Sequence, residues 1–335
     1  MKDHVRAGER SFVAFLALSL FFPIAAQGAA NNQGGAPPSQ NKEQSAAAIS
    51  VNVELVVLHA TVLDKKGGFV SGLQKQDFRV YEDNQLQTIE LFQHEDVPVA
   101  IGLVVDNSGS MQRKKSDVAA AALAFVRSSN PEDEMFIVNF NENVTFGLPT
   151  TELFSAKPSE LDEALLGVPA GGKTALYDAI ERALTHLQRT SRDKKVLIVI
   201  SDGGDNASKH TLNQVLQDAG RSDAIIYTIG LFDEDDPDGN PRVLKQIVRA
   251  TGGEAFSPEE TSAVVKICEG IAKDIRNQYT IGYAPANEKL DGSYRTIKVT
   301  VTGSHGAKLL VRTRAGYIAS PDRNTRAAGS KDGGR

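Results

Sequence analysis

The sequence predicts an α/β fold, in which a doubly wound, mostly parallel sheet is inserted in a small β-sandwich formed by the N- and C-terminal strands. Two observations lead to this prediction. In residues 96–278, short apolar runs alternate with amphipathic helical patterns, which is typical of a parallel sheet covered by helices on both faces. Residues 49–95 and 279–318 instead show alternating strand patterns, and each segment alone is too small for a stable core. We therefore expect these two flanking segments to pack together.

The individual elements follow from the spacing of the apolar residues. N-terminal strands are predicted in ISVNVELVVLHATVLD and DFRVYEDNQLQTIELF, with turns at KKGG and EDNQ. Buried strands of the central region are predicted in VPVAIGLVVD, EMFIVNF, VLIVIS and AIIYTIG, with NVTFGL as a short antiparallel partner and GEAFS as a short strand. Helices are predicted in DVAAAALAFVRSS, SELDEALLGV, TALYDAIERALTHLQ, TLNQVLQDAG, RVLKQIVRATG and TSAVVKICEGIAKDIRNQ. The returning strands are YTIGYAP, YRTIKVTVTG and AKLLVRTRAGYI.

The N-terminus has the features of a secretory signal. Basic residues precede the apolar run SFVAFLALSLFF, and small residues suited to cleavage follow it. We expect residues 1–28 to be removed and the protein to be exported to the periplasm, the cell surface or the medium, with no transmembrane segment left. An uncleaved anchor is the alternative. Residues 29–48 and 319–335 have the composition of a disordered linker and a disordered tail.

Composition argues against two classes of function. The chain of 335 residues has a formal net charge of -5 and no polybasic stretch, so a nucleic-acid partner is not expected. Its 6 histidines are scattered without metal-ligand spacing, which argues against a zinc site. Cys268 lies in a helical pattern and is expected to pack as a small apolar residue. The sequence leaves the oligomeric state open.

Oxygen-bearing side chains gather at the carboxyl ends of the predicted parallel strands, which is where ligands bind in open α/β sheets. Asp106, Ser108 and Ser110 lie at alternate positions of DNSGSM, so that in a nearly extended segment they project to one side. Thr174 heads a predicted helix and Asp202 ends the strand VLIVIS, so both should reach the same edge. Oxygen ligands without sulfur or imidazole suit Mg²⁺, with Ca²⁺ and Mn²⁺ as alternatives, rather than zinc or copper.

With these motifs the sequence resembles a von Willebrand factor type A domain that has a metal-ion-dependent adhesion site. Over roughly residues 97–278, DNSGSM matches the first motif, GGKTALYDAI the threonine motif and ISDGGDNAS the aspartate motif. The resemblance implies that Ser108, Ser110 and Thr174 ligate a divalent cation. It implies that Asp106 and Asp202 ligate the cation or hold its waters. The flanking segments resemble a bacterial group of exported proteins that carry this domain. We therefore expect a non-enzymatic binding protein whose metal coordinates an Asp or Glu of a protein or surface ligand.

Two alternative functions are compatible with parts of the sequence. Residues 167–174, GVPAGGKT, match the phosphate-loop pattern of nucleotide hydrolases. That loop requires a buried strand before its first glycine, whereas SELDEALLGV has helical spacing, and a hydrolase would leave DNSGSM unexplained. The hydrolase is therefore disfavoured, and Lys173 is expected to be solvated. The second alternative is a scaffold in which the metal only stabilises the fold.

Two further acidic features have simpler interpretations than metal binding. The segment 233–238, within FDEDDPDGNPR, resembles a calcium loop, but Lys245 stands where such a loop requires Glu. We expect a solvated acidic loop, whose functional alternative is a role in partner selection. Asp205, in DGGDN, is expected to be a turn residue rather than a metal ligand.

Overall fold

The computed structural model describes residues 55–232, 239–303 and 309–320. The predicted signal, the predicted linker, residues 321–335 of the predicted tail and the acidic segment 233–238 lie outside the described residues. In the described part of the chain, no helix combines the length and the apolar character that a membrane span requires.

The secondary-structure elements keep the predicted order. The described strands are β1 (Val56–Leu63), β2 (Phe78–Glu82), β3 (Gln85–Gln87), β4 (Ile89–Gln93), β5 (Ala100–Asp106), β6 (Glu134–Phe140), β7 (Val144–Phe146), β8 (Lys195–Ser201), β9 (Ile225–Gly230), β10 (Ala255–Phe256), β11 (Tyr279–Tyr283), β12 (Tyr294–Val301), β13 (Leu310–Arg312) and β14 (Gly316–Ile318). The described helices are α1 (Lys115–Ser128), α2 (Pro158–Leu166), α3 (Leu176–Leu187), α4 (Leu212–Arg221), α5 (Pro241–Thr251) and α6 (Val264–Arg276).

The central sheet has the strand order β10-β9-β8-β5-β6-β7. Neighbouring strands are parallel except for β6 and β7, which are antiparallel. Strands β5 and β9 are buried along their whole length. Since successive residues of a strand face opposite sides of the sheet, both faces must be covered, which is why these strands are continuous apolar runs. The predicted α/β class with a mostly parallel sheet and additional antiparallel sheets is confirmed.

Helix α3 shows how the helices cover this sheet. Its buried residues recur at intervals of three and four positions, which places them on one face of the helix. They are Leu176, Ala179, Ile180, Ala183, Leu184, His186 and Leu187. Its first residue, Leu176, lies two positions after Thr174, so the packing of the helix also determines where the predicted ligand lies.

The N- and C-terminal strands share two antiparallel sheets, with the orders β13-β1-β11-β4 and β14-β12-β2-β3. One apolar core draws buried residues from both sheets, including Leu58 and Ile281 from the first sheet and Val80 and Ile297 from the second. The two sheets therefore pack face to face as a sandwich. Ala319, at the start of the predicted tail, is also buried in this core, and its backbone N–H donates to the Ser293 carbonyl at 2.9 Å.

Two predicted strand runs are divided between the two sheets. DFRVYEDNQLQTIELF is predicted as two runs around the turn EDNQ; the first run forms β2, whereas the second forms β3 in the same sheet and β4 in the other sheet. AKLLVRTRAGYI forms β13 in one sheet and β14 in the other. A strand that crosses between packed sheets keeps its alternating pattern, so the pattern alone does not reveal the crossing.

Candidate metal centre

The carboxyl edge of the central sheet brings three of the predicted metal-site segments together. Asp106 is the last residue of β5, and Asp202 directly follows β8. These strands are parallel neighbours, with Val105 opposite Ile200 in the register. Thr174 precedes α3 and arrives from the turn that follows α2. The strand order therefore places the ends of two remote sequence segments side by side.

Asp106 is held in a buried position by two hydrogen-bond donors. Its Oδ1 accepts the Ser108 backbone N–H at 2.8 Å, and its Oδ2 accepts the Ser201 hydroxyl at 2.6 Å. Burial raises the pKa of the Asp106 carboxyl to about 6, the bonds from Ser108 and Ser201 oppose this rise, and the charge of Asp202 adds to it. Burying two carboxylates close together is energetically unfavourable unless a positive charge compensates them.

The two serines and Asp202 converge on one point. The Ser108 and Ser110 hydroxyl oxygens are 3.2 Å apart, and the Ser110 hydroxyl donates to Asp202 Oδ2. The other carboxylate oxygen, Asp202 Oδ1, accepts the Gly204 backbone N–H at 3.0 Å. Residues 92 positions apart in sequence thus share a hydrogen bond at the end of the sheet.

The loop that carries Thr174 packs against the DNSGSM turn through its backbone. Gly109 N–H donates to the Gly172 carbonyl at 3.1 Å, and Gly171 N–H donates to the Asn107 carbonyl at 2.8 Å. Thr174 is buried, with 6% of its surface exposed. These contacts place the five predicted ligand residues at one edge of the sheet.

Gly172 has a conformation and an environment that only glycine satisfies. Its φ of +84° lies in the left-handed region, which residues with a Cβ rarely adopt. A Cβ built at this position would lie 1.8 Å from Glu142 Oε2. The same Glu142 oxygen accepts the Lys173 backbone N–H at 3.0 Å. The glycine therefore lets the Glu142 carboxylate brace the loop one residue before Thr174.

The donor set fits a hard divalent cation rather than a zinc-type centre. It comprises two carboxylates and three hydroxyls, and oxygen-only sets of this kind suit Mg²⁺, Ca²⁺ or Mn²⁺. Within the described ranges, no three His, Cys, Asp or Glu side chains form a group able to hold a metal. A metal at this edge would therefore depend on hydroxyl ligands.

Sequence reasoning missed several residues that organise this site. Ser201 binds Asp106, Glu142 braces Lys173, and Asn206 accepts the Thr174 backbone N–H at 2.9 Å. The sequence contains one signal for Asn206, because ISDGGDNAS has short polar residues that favour backbone hydrogen bonds. The sequence provides no such signal for Glu142, which reaches the loop only through the tertiary fold.

Asp205 acts in the turn where the sequence predicted it, and it has a second contact. Its Oδ1 accepts the Ser208 backbone N–H at 3.1 Å, which closes the turn. Its Oδ2 accepts the Tyr177 backbone N–H at 3.0 Å, near the start of α3. The residue thus also satisfies one of the amide groups that a helix N-terminus leaves unpaired.

The phosphate-loop requirement is not met. Helix α2 ends at Leu166, and Gly167 is its C-cap residue, so a helix rather than a strand precedes the first glycine of GVPAGGKT. Lys173 is exposed, as expected. GVPAGGKT therefore does not form the strand-to-helix turn on which such loops hold phosphate groups.

The structure is that of an α/β domain with a cluster of oxygen-bearing side chains at the carboxyl edge of its central sheet. Residues 101–204 match the family model of the von Willebrand factor type A domain. No curated protein matches the chain.

Solved structures similar to the chain include von Willebrand factor type A from Catenulispora acidiphila, at 14% identity and a TM-score of 0.48, covering 81% of this chain and 74% of that chain. Another is the vWF domain of the type V pili tip protein Mfa5 from Porphyromonas gingivalis, at 13% identity and a TM-score of 0.46, covering 54% and 95%. A third is proximal thread matrix protein 1 from the mussel byssus with a zinc-occupied MIDAS motif, at 16% identity and a TM-score of 0.47, covering 58% and 49%.

Proposed function

We propose that this chain is an exported, non-enzymatic binding protein whose von Willebrand factor type A domain uses a divalent cation, first of all Mg²⁺, to coordinate an acidic group of a protein or surface partner. The observation that supports it most is the hydrogen bond between Ser110 and Asp202, beside the buried Asp106. This bond joins the DNSGSM motif to the ISDGGDNAS motif, which are the first and the last of the three motifs that resemble a metal-ion-dependent adhesion site. The export proposal is supported by the basic and apolar pattern of residues 1–28.

The five residues have two roles in this proposal. Ser108, Ser110 and Thr174 would ligate the cation directly, and Asp106 and Asp202 would ligate it or hold its waters. The bound cation supplies a Lewis acid that accepts a carboxylate oxygen. Because the direct ligands are mainly neutral hydroxyls, while two carboxylates balance the divalent charge, the cation stays attractive to a further anion. An Asp or Glu of the partner is the anion that fits.

The hydrogen bonds at the site favour binding over catalysis. The Ser110 hydroxyl contacts both the Ser108 hydroxyl and Asp202, and this convergence of three oxygen-bearing side chains supports a set of metal ligands. The hydroxyls are therefore assigned to the metal. The scaffold alternative uses the same ligands, but there the metal only stabilises the fold and does not coordinate the partner.

One experiment tests both the metal and the partner. The wild-type protein and Asp106→Ala would be used to capture partners from the native envelope or medium, in Mg²⁺ and in EDTA. We expect a partner set that only the wild type retains, and only in Mg²⁺. Partners retained equally by both proteins in both buffers would contradict the metal-bridged mechanism.

A second experiment separates the alternatives. Binding of Mg²⁺ and of ATP would be measured by calorimetry for Ser110→Ala and for Lys173→Ala. We expect Ser110→Ala to weaken Mg²⁺ binding and Lys173→Ala to leave it unchanged. The hydrolase alternative requires tight ATP binding that Lys173→Ala removes. The scaffold alternative requires EDTA to lower the melting temperature while partner binding persists.

A further inference from the structure

Three hydrogen bonds from one loop hold the backbone of Thr174. Its backbone N–H donates to Asn206 Oδ1 at 2.9 Å, and its carbonyl accepts the backbone N–H groups of Asn206 and Ala207, both at 3.0 Å. The loop that makes these bonds begins at Asp202, which is itself a predicted ligand. Asn206 therefore connects the loop of one ligand to the backbone of another.

The rest of this loop is anchored without Asn206. Asp205 binds the Tyr177 N–H and the Ser208 hydroxyl accepts the Asp178 N–H at 3.1 Å, so the loop provides acceptors for the first amides of α3. Helix α3 needs these acceptors because its N-cap residue, Ala175, has no capping side chain. Removing the Asn206 side chain would thus leave the loop attached to α3.

Only one of the three bonds to Thr174 depends on the Asn206 side chain. The two bonds to the Thr174 carbonyl come from backbone amides and survive any substitution that keeps the loop in place. The side-chain bond restrains the Thr174 N–H, whose nitrogen is bonded to the Cα from which the hydroxyl-bearing side chain extends. Losing that restraint frees the peptide to rotate and moves the hydroxyl, since groups that hold a ligand residue orient it for the metal.

We propose that Asn206 is the positioning residue for Thr174: its carboxamide oxygen holds the Thr174 backbone so that the hydroxyl is presented to the cation. The assignment rests on the proposed metal-binding function. Outer contacts of this kind are worth about 10- to 100-fold in metal affinity. Asn206 acts through Thr174 and touches neither the metal nor the partner, so its effect should disappear when the Thr174 hydroxyl is absent.

The test measures the Mg²⁺ dissociation constant by calorimetry for the wild type, Asn206→Ala, Thr174→Ala and the double variant. We expect Asn206→Ala to bind about 10- to 100-fold more weakly than the wild type. We expect the double variant to bind no more weakly than Thr174→Ala alone, because the two residues act in series. Losses that multiply in the double variant would overturn the assignment.

Two variants separate positioning from general stability. Asn206→Asp keeps an acceptor for the Thr174 N–H, so we expect it to retain wild-type affinity. Ser208→Ala removes a bond of the same loop to α3 but none to Thr174, so we expect it to lower the melting temperature while changing the affinity less than threefold. Equal losses of affinity in Ser208→Ala and Asn206→Ala would overturn the assignment, because loop order alone would then explain both.

The outcomes also distinguish this inference from the function on which it rests. A wild-type protein that binds no Mg²⁺ would overturn the metal site and the role of Asn206 together. A wild-type protein that binds Mg²⁺, with Asn206→Ala binding equally well in a folded state confirmed by circular dichroism, would overturn only the role of Asn206.

Discussion

The hydroxyl of Thr61, in the first strand of the sandwich, donates a 2.6 Å hydrogen bond to Asp274 in the last helix of the α/β part. The Tyr227 hydroxyl donates to the other oxygen of the same carboxylate at 2.7 Å. The Arg312 guanidinium, from strand β13, pairs with Asp274 and with Glu254. Asp274 is buried, so this network joins the sandwich to the α/β part through a carboxyl group that is almost completely shielded from solvent.

Replacement of Asp274 by Ala should be strongly destabilising. The variant leaves the Thr61 and Tyr227 hydroxyls without their acceptor and removes the more buried partner of Arg312. Breaking a buried pair by removing one partner costs about 3–5 kcal/mol. We expect a loss of this size in urea unfolding, against little change in the exposed control Asp193→Ala. A loss below about 1 kcal/mol would show that water replaces the network.

The buried pair of Glu82 and Arg295 inside the sandwich should show coupling. Glu82 accepts the Tyr283 and Tyr317 hydroxyls at 2.7 and 2.9 Å, and Arg295 Nη1 at 3.2 Å. Glu82→Met removes the carboxylate that balances the buried Arg295 charge, although the guanidinium keeps the Asn287 and Lys289 carbonyls as acceptors, and should cost about 3–5 kcal/mol. The double variant Glu82→Met/Arg295→Met should cost less than the sum of the two single variants. Additive losses in urea unfolding would mean that the two charges act independently.

His59 should make the protein sensitive to acid. Burial lowers the pKa of the His59 imidazole to about 3, and the charges of Lys194 and Arg314 lower it further in the same direction. The unfolded chain takes up this proton near pH 6.5, whereas the folded chain takes it up only near pH 3. Stability is therefore lost as the pH falls from 6.5 towards 3, by up to about 1.4 kcal/mol per pH unit for one proton.

The measurement for His59 is urea unfolding at several pH values between 7 and 4. His59→Gln should flatten the dependence that the wild type shows below pH 6.5. His210→Gln is the control with the opposite sign, because the hydrogen bond that the imidazole donates to the Asp178 carboxylate raises the pKa of His210. The protonated His210 stabilises the folded state at low pH, and this stabilisation is lost as the pH rises through the folded-state pKa of His210. Parallel pH profiles for the wild type and His59→Gln would contradict the prediction.

Metal binding should stabilise the fold by an amount that grows with the logarithm of the Mg²⁺ concentration relative to the dissociation constant. At a Mg²⁺ concentration 100 times the dissociation constant, binding to the folded state alone adds about 2.7 kcal/mol. The melting temperature of the wild type should rise with Mg²⁺ and return to its starting value in EDTA. Asp106→Ala should show no such rise. A similar rise in the variant would place the stabilising ion somewhere other than this site.

Two glycine substitutions should have opposite effects. Gly172→Ala introduces a Cβ at a positive φ and against the Glu142 carboxylate, so we expect a loss of about 1–3 kcal/mol together with weaker Mg²⁺ binding. Gly220, inside α4, has open space where its Cβ would lie. Gly220→Ala should stabilise by about 0.5–1 kcal/mol, since alanine favours helix. Thermal unfolding and Mg²⁺ titration of both variants provide the check, and similar effects would contradict the proposed strain at Gly172.

Much of the fold could be predicted because the spacing of apolar residues within each helix or strand indicates which of its faces are buried. The apolar run of β5 shows a strand covered on both faces, and the spacing in α3 shows a helix covered on one. The same rules brought Asp106 and Asp202 to one edge, because parallel strands end on the same side of a sheet, and Thr174 was expected there as the residue that heads a helix. The sequence did not show that the chain passes from one sheet of the sandwich to the other between β3 and β4, since the alternating pattern continues through both strands.

The sequence alone determined the order of the elements, the α/β class and the set of oxygen-bearing residues at the sheet edge, because these depend on local periodicity and on side-chain chemistry. Only the tertiary structure decided which groups hold that set in place. Glu142 reaches Lys173, and Asn206 reaches Thr174, across 31 and 32 positions of sequence. Such contacts depend on how strands and loops are arranged in space, and no local pattern of residues encodes that arrangement.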